Sequence, residues 1–456
     1  MRIHITKPLF AWDCLEDSPS LKSIRAFLET IPDEKLLAGL RAARGKGRDD
    51  YPVEVLWGVL LLTVALRHVH FEACLAELKR NAPLRHLLGI DDEDGVPHEW
   101  NVSRFIDLLG QAPHRDHLRG VFDVMIRRLA TVVDDLGRHV AGDATGLKAR
   151  RSKHTREIEA TAETRDEHDL PLPCGGRKEY TDDEGKVTHV VEWFGYKVHL
   201  LVDVRHEVIL AWEVTSPKTG DNDMIEPLVE QAEANLPKDR IETLAYDKAA
   251  DDVKVHKLLA EHGITPVIQL RSQWQNQTER LVPGQEYRGN IVYDEDGTVS
   301  CYDTVSSPPV KHTMAYTGHE PARGTIKYRC PAKHQGWTCP MSAVCNAGKT
   351  YGLTVRVKQG VDLRRFPPIP RSTQKFERLY KGRTSVERVN ARLKIFWGAD
   401  DGNIVGSTRF YAFLGTITIV HAAFATLLAS APRREGRLGQ TKLSPIAKSL
   451  RELIAA

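Results

Sequence analysis

The stretch FERLYKGRTSVERVNARLKIFW, residues 376–397, contains two overlapping residue patterns. Apolar side chains recur every three or four positions, which predicts a helix with an interruption near Gly382. A second, polar series has spacings of three, four and seven: Tyr380, Arg383, Glu387 and Lys394. At 3.6 residues per turn, these four side chains would project from one side of a continuous helix. That side would offer a carboxylate beside a hydroxyl, a guanidinium and an ammonium, which together can hold a cation and a phosphate.

The same residues also fit an ordinary solvated helix surface. Arg383 and Glu387 are four positions apart, and such a pair contributes only about 0.2–0.5 kcal/mol. Charged residues are common on exposed helix faces, so the spacing alone does not establish a site. The rest of the chain must decide between the two interpretations.

The composition is that of a soluble globular protein, with 41% hydrophobic and 27% charged residues in a chain of 456. Roughly two to four domains are expected at this length. The formal net charge of +3 does not indicate a polyanionic partner, but the charge is unevenly distributed. From Arg371 onward there are 15 Lys and Arg residues against 6 Asp and Glu, an excess that suits a phosphate backbone.

A reducing, cytoplasmic compartment is expected. The opening MRIHITKPLF lacks the apolar core of a signal peptide, and seven cysteines spread over a long chain argue against a disulfide framework. Residues 410–431 are long and apolar enough to span a membrane. Their Ala, Thr and Gly content and the basic region before them favour a helix packed on a sheet, so no membrane partner is expected.

The succession of patterns predicts an α/β protein with a mixed sheet. Two strand candidates, 196–202 and 208–214, are separated by a polar turn and form a predicted hairpin, and later strands alternate with helices. Five segments are expected: 1–135, helical; 136–271, short strands and helices; 272–371, a turn-rich β insertion; 372–432, the second part of the α/β region; and 433–456, a basic tail. The N-terminal helices have basic ends, which fits either a helix-turn-helix reader of DNA or a plain packing domain.

Two aspartates lie where predicted strands end. Asp143 follows the strand candidate 139–142, and Asp247 follows 243–246. Ligand sites in α/β sheets lie at strand ends, although a single Asp there is more often a turn former or a helix cap. With Glu387, these residues supply the oxygen ligands that Mg²⁺ prefers, and two such ions can drive phosphodiester cleavage. Basic residues after the first strand favour a nucleic acid substrate: Lys148, Arg150 and Arg151.

These motifs resemble those of DDE transposases of bacterial insertion sequences, a family with a ribonuclease-H-like catalytic fold. Its signature helix has Tyr, Arg, Glu and Lys separated by two, three and six residues, and residues 380–394 match every spacing. Its Gly-Tyr-Lys-x-His strand appears at 195–199, and its Asp-Gly-Thr strand end appears as Asp143-Ala144-Thr145. The resemblance spans roughly residues 50–430.

The resemblance implies a ribonuclease-H-like mixed sheet flanked by helices, an N-terminal all-α domain that binds the DNA end, and a β-rich insertion before the last catalytic helix. Three acids would hold two Mg²⁺ or Mn²⁺ ions: Asp143, Asp247 and Glu387. Hydrolysis at the transposon ends and strand transfer into target DNA would follow. Arg383 and Lys394 would clamp phosphates, and Tyr380 would contact the end. The implied partner is double-stranded DNA, and synapsis of two ends implies a homodimer.

One departure from the family pattern leaves other functions open. Relatives have Lys-Gly-Tyr after the second acid, whereas here Lys248-Ala249-Ala250 precedes Asp251. The predicted strand before Asp247 favours that residue over Asp251 as the second acid. A catalytically degenerate DNA-binding relic and a non-transposing nuclease of the same fold are the alternatives.

Four cysteines of the β insertion form a separate candidate site: Cys301, Cys330, Cys339 and Cys345. Four thiolates, or three with His334, can bind a structural Zn²⁺ ion tetrahedrally. The last three cysteines are separated by nine and six positions, wider than the pairs of ordinary zinc ribbons. Reduced, partly buried thiols are therefore the alternative.

Overall fold

The computed structural model describes residues 19–46, 50–151, 161–182, 186–275, 278–430 and 438–439. The chain divides into two compact units. Unit 1 comprises 1–138, 143–240 and 385–456, and unit 2 comprises 139–142 and 241–384. The first 18 residues and nearly all of the predicted basic tail 433–456 lie outside the described residues. Residues 152 and 153, which follow the basic residues Lys148, Arg150 and Arg151, also lie outside them.

Helices dominate the chain before residue 133. The described α-helices are α1 Pro19–Thr30, α2 Glu34–Arg44, α3 Val53–Ala65, α4 Phe71–Arg80, α5 Ala82–Leu87, α6 Glu99–Leu109, α7 His114–Val132, α8 Ile225–Asn235, α9 Val253–Glu261, α10 Pro331–Gln335, α11 Ser342–Cys345, α12 Gln374–Lys381, α13 Thr384–Ala391 and α14 Ser407–Ser430. Most of the first seven are amphipathic, whereas α3 and α14 are apolar on nearly every side and are buried along nearly their whole length.

The strands begin after α7. They are β1 His139–Lys148, β2 Cys174–Thr181, β3 Val187–Asp203, β4 Ile209–Thr215, β5 Thr243–Tyr246, β6 Thr265–Ile268, β7 Glu279–Leu281, β8 Ile291–Asp294, β9 Val299–Asp303, β10 Val310–Thr313, β11 Ala315–Glu320, β12 Thr325–Arg329 and β13 Thr354–Lys358. The chain is therefore a mixed α/β protein, as the sequence predicted. The ribonuclease-H-like assignment and the five segment limits stay predictions.

In unit 1, β3 pairs antiparallel with both β2 and β4. The predicted hairpin is present as β3–β4. Its turn is closed by two backbone hydrogen bonds, from Asp203 N–H to the Val208 carbonyl and from Glu207 N–H to the Asp203 carbonyl, both 2.9 Å. The later residues of β1 run beside β3, where Ala149 N–H donates to the Phe194 carbonyl at 2.9 Å.

In unit 2, the first residues of β1 pair in parallel with β5, and β5 pairs in parallel with β6. The β1–β5 register aligns His139 with Thr243 and Ala141 with Ala245. Helix α9 connects β5 to β6, which is the usual crossover between parallel strands.

The rest of unit 2 contains two antiparallel sheets, ordered β10-β9-β8-β7 and β11-β12-β13. Buried aliphatic and aromatic residues from both sheets form one core: Val282, Ile291, Tyr293, Val299, Ile326, Tyr328, Val355, Val357 and Phe366. All four insertion cysteines take part in this core. Cys330 belongs to it, and Cys301, Cys339 and Cys345 pack against it.

Helix α14 is the one helix, among the described residues, whose length and composition would allow it to cross a membrane. In its most apolar stretch, 89% of the residues are buried within the protein. The helix packs against α1, α3, α6, α7 and β4, all in unit 1. It is thus a packed core helix, as expected for this segment.

Candidate active site

The segment that carries the signature residues is not one continuous α-helix. Helix α12 ends at Lys381 with Gly382 as its cap, which confirms the predicted interruption. Helix α13 then runs to Ala391, and residues 392–396 form a π-helix. Because the break and the wider π turn both alter the angular spacing, regular helix geometry does not place all four signature residues on one face, and their shared face stays a prediction.

The signature residues also divide between the two units. Tyr380 and Arg383 belong to unit 2, and Glu387 and Lys394 belong to unit 1. Within unit 2, the Tyr380 ring stacks on Phe376 with centroids 5.9 Å apart, and the Arg383 guanidinium carbon is 6.0 Å from the Tyr380 ring centroid. Both side chains are half-buried.

Asp143 lies within a strand and not at its end. The sequence predicted that the strand stops at Gly142, but β1 continues to Lys148. The β1 residues that pair with β5 are His139 to Ala141, after which β1 continues beside β3. A change of strand partner cannot be read from the local sequence, which explains the wrong strand end.

Asp143 is held by a residue of the signature helix. The side-chain amide of Asn390 donates to Asp143 Oδ2 at 2.9 Å. Asn390 lies on α13 three residues after Glu387, and residues three apart are neighbours on a helix surface. The side of α13 that carries Glu387 is therefore also the side that meets Asp143. Asn390 is buried, Asp143 is half-buried and Glu387 is exposed.

The second polar atom of Asn390 has an unusual environment. Its side-chain oxygen is buried and accepts no hydrogen bond from the described residues. A buried, unpaired amide oxygen is unfavourable, and it commonly marks a site for water or an ion. Asn390 was not predicted from the sequence, although its position about one helical turn after Glu387 indicates that the two side chains are neighbours.

Lys394 lies among charges of both signs. Burial is the main cause that lowers the pKa of Lys394, and the neighbouring Lys148 and Lys178 lower it further, whereas Asp400 and Asp143 raise it. Asp400 Oδ1 also accepts the Lys148 backbone N–H at 2.7 Å. Lys394 therefore has two ammonium groups and two carboxylates as electrostatic neighbours, all in unit 1, and Lys178 was not predicted from the sequence.

Two further predicted DNA-binding residues follow β1. Arg150 and Arg151 are both exposed. The Arg150 backbone N–H donates to the Ile404 carbonyl at 2.9 Å, and the Arg151 guanidinium lies 4.7 Å from the Phe194 ring centroid. These contacts fix the backbone and the guanidinium plane while leaving both side chains open to solvent.

Asp247 directly follows β5 in unit 2. Its Oδ1 accepts the Ala249 N–H at 2.8 Å and caps a 3₁₀ turn over residues 248–250. Its Oδ2 accepts no hydrogen bond from the described residues, and the side chain is half-buried. The capping role is the ordinary one for a strand-end Asp, but it occupies only one of the two carboxylate oxygens.

Asp251, the weaker candidate for the second acid, is enclosed. Its side chain is fully buried, and Arg364 contacts both oxygens, at 3.2 Å and 2.5 Å. His256 Nε2 lies 3.2 Å from Oδ1, and the Arg271 N–H donates to Oδ2 at 2.8 Å. Although burial raises the pKa of Asp251, its hydrogen bonds to His256 and Arg364 outweigh burial and hold the pKa far below the usual range. Asp251 is thus a structural centre of unit 2.

No group of three or more His, Cys, Asp or Glu side chains among the described residues is arranged to hold a metal ion. The three predicted acids fall in different units, with Asp143 and Glu387 in unit 1 and Asp247 in unit 2. The predicted ion sites therefore stay predictions.

The four insertion cysteines come together within unit 2. They line one cavity of about 20 Å³: Cys301, Cys330, Cys339 and Cys345. Burial raises the pKa of Cys301 to about 12, and the other three thiols add to the shift. The Asn346 amide also lies 3.5 Å from Cys330 Sγ. His334, the alternative ligand, is not among the residues that line the cavity.

Two family models match the chain. Residues 135–422 match the "Transposase DDE domain" and residues 13–108 match the "Transposase domain (DUF772)". No curated protein matches significantly in sequence. One similar solved structure is titled "Cryo-EM structure of piggyBac transposase synaptic complex with hairpin DNA"; it is 12% identical, covers 95% of this chain and 84% of that chain, and has a TM-score of 0.30, too low to carry an argument. Because the first family match spans more than half of the sequence, the chain belongs to the DDE transposases and is an enzyme of the insertion-sequence type.

Proposed function

We propose that three acids bind two Mg²⁺ ions for DNA cleavage at transposon ends and strand transfer into target DNA: Asp143, Asp247 and Glu387. The observation that carries the proposal is the hydrogen bond from Asn390 to Asp143, because it brings the Glu387 side of α13 to the first acid.

The donor set fits a hard divalent cation. All three acids offer carboxylate oxygens, and Asp247 keeps one oxygen outside its capping bond. Asn390 adds a buried oxygen that has no hydrogen-bond partner among the described residues. Bound Mg²⁺ would activate the attacking water or hydroxyl and stabilise the leaving oxygen. Asn390 fixes the Asp143 carboxylate, since a ligand held by a second residue binds its ion more effectively.

The basic side chains around Lys394 would bind the DNA backbone. Lys394, Lys148 and Lys178 provide three positive charges in unit 1, which suits a phosphate beside the cleaved bond. Arg150 and Arg151 follow Lys148 closely in the chain, and both are exposed. Tyr380 and Arg383 would contact the transposon end, as in the family signature. Double-stranded DNA is the proposed partner, the ribonuclease-H-like fold is the proposed framework, and pairing of two ends calls for a homodimer.

Replacement of Glu387 by Gln tests this proposal. With a labelled transposon end and Mg²⁺, Glu387→Gln should lower strand cleavage at least about 1000-fold, equivalent to about 4 kcal/mol, while end binding stays within about threefold. Glu377→Gln is the matched control, since Glu377 is exposed and forms a surface ion pair with Lys381 at 2.7 Å. Unchanged cleavage by Glu387→Gln would remove the proposed site.

The same assay separates the alternative functions. Joined products with target DNA indicate a transposase, whereas cleavage without joining indicates a nuclease of the same fold. Binding without cleavage by the unaltered protein in Mg²⁺ or Mn²⁺ indicates a degenerate copy. The exposed position of Glu387 and the accessible oxygen of Asp247 favour an active centre.

A second proposal is that the four insertion thiols bind one structural Zn²⁺ ion. The supporting observation is that cysteines from β9, α11 and two loops line one small cavity. Since these thiols are not arranged as a formed metal site, their side chains must rotate toward the cavity on binding. The alternative is that no zinc binds and that these four cysteines are reduced, partly buried thiols.

Metal analysis of the purified protein tests zinc binding. One zinc per chain is expected, and Cys301→Ser with Cys339→Ser should abolish it. Cys74→Ser and Cys174→Ser are the controls, because both are buried cysteines of unit 1 and should leave zinc content unchanged. Protein expressed in zinc-supplemented medium but free of zinc would refute this proposal without affecting the one for Glu387.

A further inference from the structure

The turn of the β3–β4 hairpin carries a buried carboxylate that is not one of the proposed metal ligands. Glu207 is fully buried and has a backbone φ of 56°, in the left-handed region that non-glycine residues rarely adopt. Its Oε1 accepts a hydrogen bond from Arg388 Nε at 2.6 Å, and its Oε2 accepts one from Arg392 Nη2. A buried charge in a strained turn is unfavourable unless its partners compensate, so this arrangement calls for an explanation.

Both arginines belong to the segment that carries the proposed catalytic residues. Arg388 follows Glu387 on α13, and Arg392 is the first residue of the π-helix. Asn390, which donates to Asp143, lies between them in sequence. The two arginine–carboxylate contacts therefore fix α13 and the start of the π-helix against the hairpin, on both sides of Asn390.

The chain near the C-terminus covers the same turn. Gly439 N–H donates to the His206 carbonyl at 2.8 Å, and Leu438 is buried. A Cβ at residue 439 would lie 1.9 Å from the Glu207 carbonyl oxygen, so only glycine fits at this approach. Close backbone packing leaves the turn little room to move and keeps Glu207 away from solvent.

We propose that Glu207 is a positioning residue, which sets the distance between Glu387 and Asp143 through Arg388, Arg392 and Asn390. This inference rests on the proposed function of Glu387. It adds a residue with no sequence signal of its own, since a Glu in a hairpin turn is ordinarily a solvated residue. Removing the charge of Glu207 should loosen α13. The effect on cleavage would be indirect, because Glu207 is not proposed to contact the ions, the DNA or the reacting atoms.

Cleavage of a labelled end by Glu207→Gln at a series of Mg²⁺ concentrations tests the inference. Cleavage should fall about 10- to 100-fold at low Mg²⁺, with partial recovery at high Mg²⁺, because a displaced ligand weakens ion binding. DNA-end binding should stay within about threefold. Arg388→Gln is a milder variant, since Arg392 still holds the carboxylate, and it should show a smaller shift of the same kind.

Glu213→Gln is the matched control for lost stability. Glu213 is a partly buried carboxylate of β4 that pairs with Arg119 of α7. If Glu213→Gln lowers the melting temperature as much as Glu207→Gln but keeps its Mg²⁺ dependence, the positioning role is supported. A folded Glu207→Gln protein with a normal Mg²⁺ profile would overturn the inference while Glu387→Gln stays inactive. Full cleavage by Glu387→Gln would instead overturn the proposed function itself.

Discussion

Two aspartates only four residues apart should respond to the same substitution in opposite ways. Asp247→Asn should remove cleavage and leave stability nearly unchanged, whereas Asp251→Asn should mainly lower stability. The difference follows from their surroundings. Asp247 makes one capping hydrogen bond and keeps an oxygen available, while Asp251 is surrounded by arginine, histidine and backbone donors.

The expected magnitudes follow from these contacts. Asn caps a turn about as well as Asp, so Asp247→Asn should cost less than about 1 kcal/mol. Asp251→Asn leaves Arg364 and Arg371 without their carboxylate, with side chains only 9% and 3% exposed. Removing one partner of a buried ion pair costs about 3–5 kcal/mol. At about 2–4 °C per kcal/mol for a unit of this size, the transition of unit 2 should fall by roughly 6–20 °C.

Calorimetry and a Mg²⁺ cleavage assay on both variants make the comparison. Calorimetry is preferred because the two units can unfold in separate transitions, for which a single melting temperature is not defined. Cleavage by Asp247→Asn should fall at least about 1000-fold below that of the unaltered protein. If Asp251→Asn is fully stable but inactive, and Asp247→Asn remains active, Asp251 is the second acid and the reasoning from burial is wrong.

Three further predictions follow from particular contacts. Lys394→Ala should weaken end binding and reduce the slope of log affinity against log salt by about 0.9, since one phosphate contact is lost; an unchanged slope in a salt titration would exclude that contact. The stability that Asp251 provides is complete above its unfolded pKa of about 3.9 and is lost as pH falls toward its lower folded pKa. The difference in the unit 2 transition temperature between the unaltered protein and Asp251→Asn, measured by calorimetry, should therefore narrow below about pH 4. Gly110→Ala should destabilise unit 1 by about 1–3 kcal/mol in denaturant unfolding, because the new Cβ would lie 1.9 Å from the Thr408 carbonyl oxygen; an unchanged midpoint would show that α14 shifts freely.

The sequence predicted the elements whose signals are local. The β3–β4 hairpin, the buried α14 helix and the break at Gly382 all follow from residue patterns within about 20 positions, and all are present. The continuation of β1 past Asp143 was not predictable, because it depends on pairing with β3 about 50 residues later. Long-range pairing determines such strand ends, whereas periodicity reports only local burial.

The residues that hold the candidate site together were the least predictable. Glu207 contacts Arg388 across 181 positions, and Asn390 contacts Asp143 across 247. Neither contact leaves a periodic or compositional trace, since each depends on how the hairpin and α13 pack. The proposed acids could be named from the sequence because a metal site needs particular chemical groups, and those groups appear in the sequence as residue types at familiar spacings.

The signature spacing identified the family, but the four signature residues do not lie on one regular helix. A single helix face would require regular α-geometry from Tyr380 to Lys394, and the chain breaks that geometry twice, at Gly382 and in the π-helix. Regular geometry survives only within α13, from Glu387 to Asn390, and this is where the contact with Asp143 is made. The three-residue step from Glu387 to Asn390 is therefore the part of the signature segment whose physical role is clearest. Lengthening this step by one inserted alanine should separate Glu387 from Asp143 by about 100° of helix rotation and abolish cleavage, whereas an insertion after Ser430, the last residue of α14, should not.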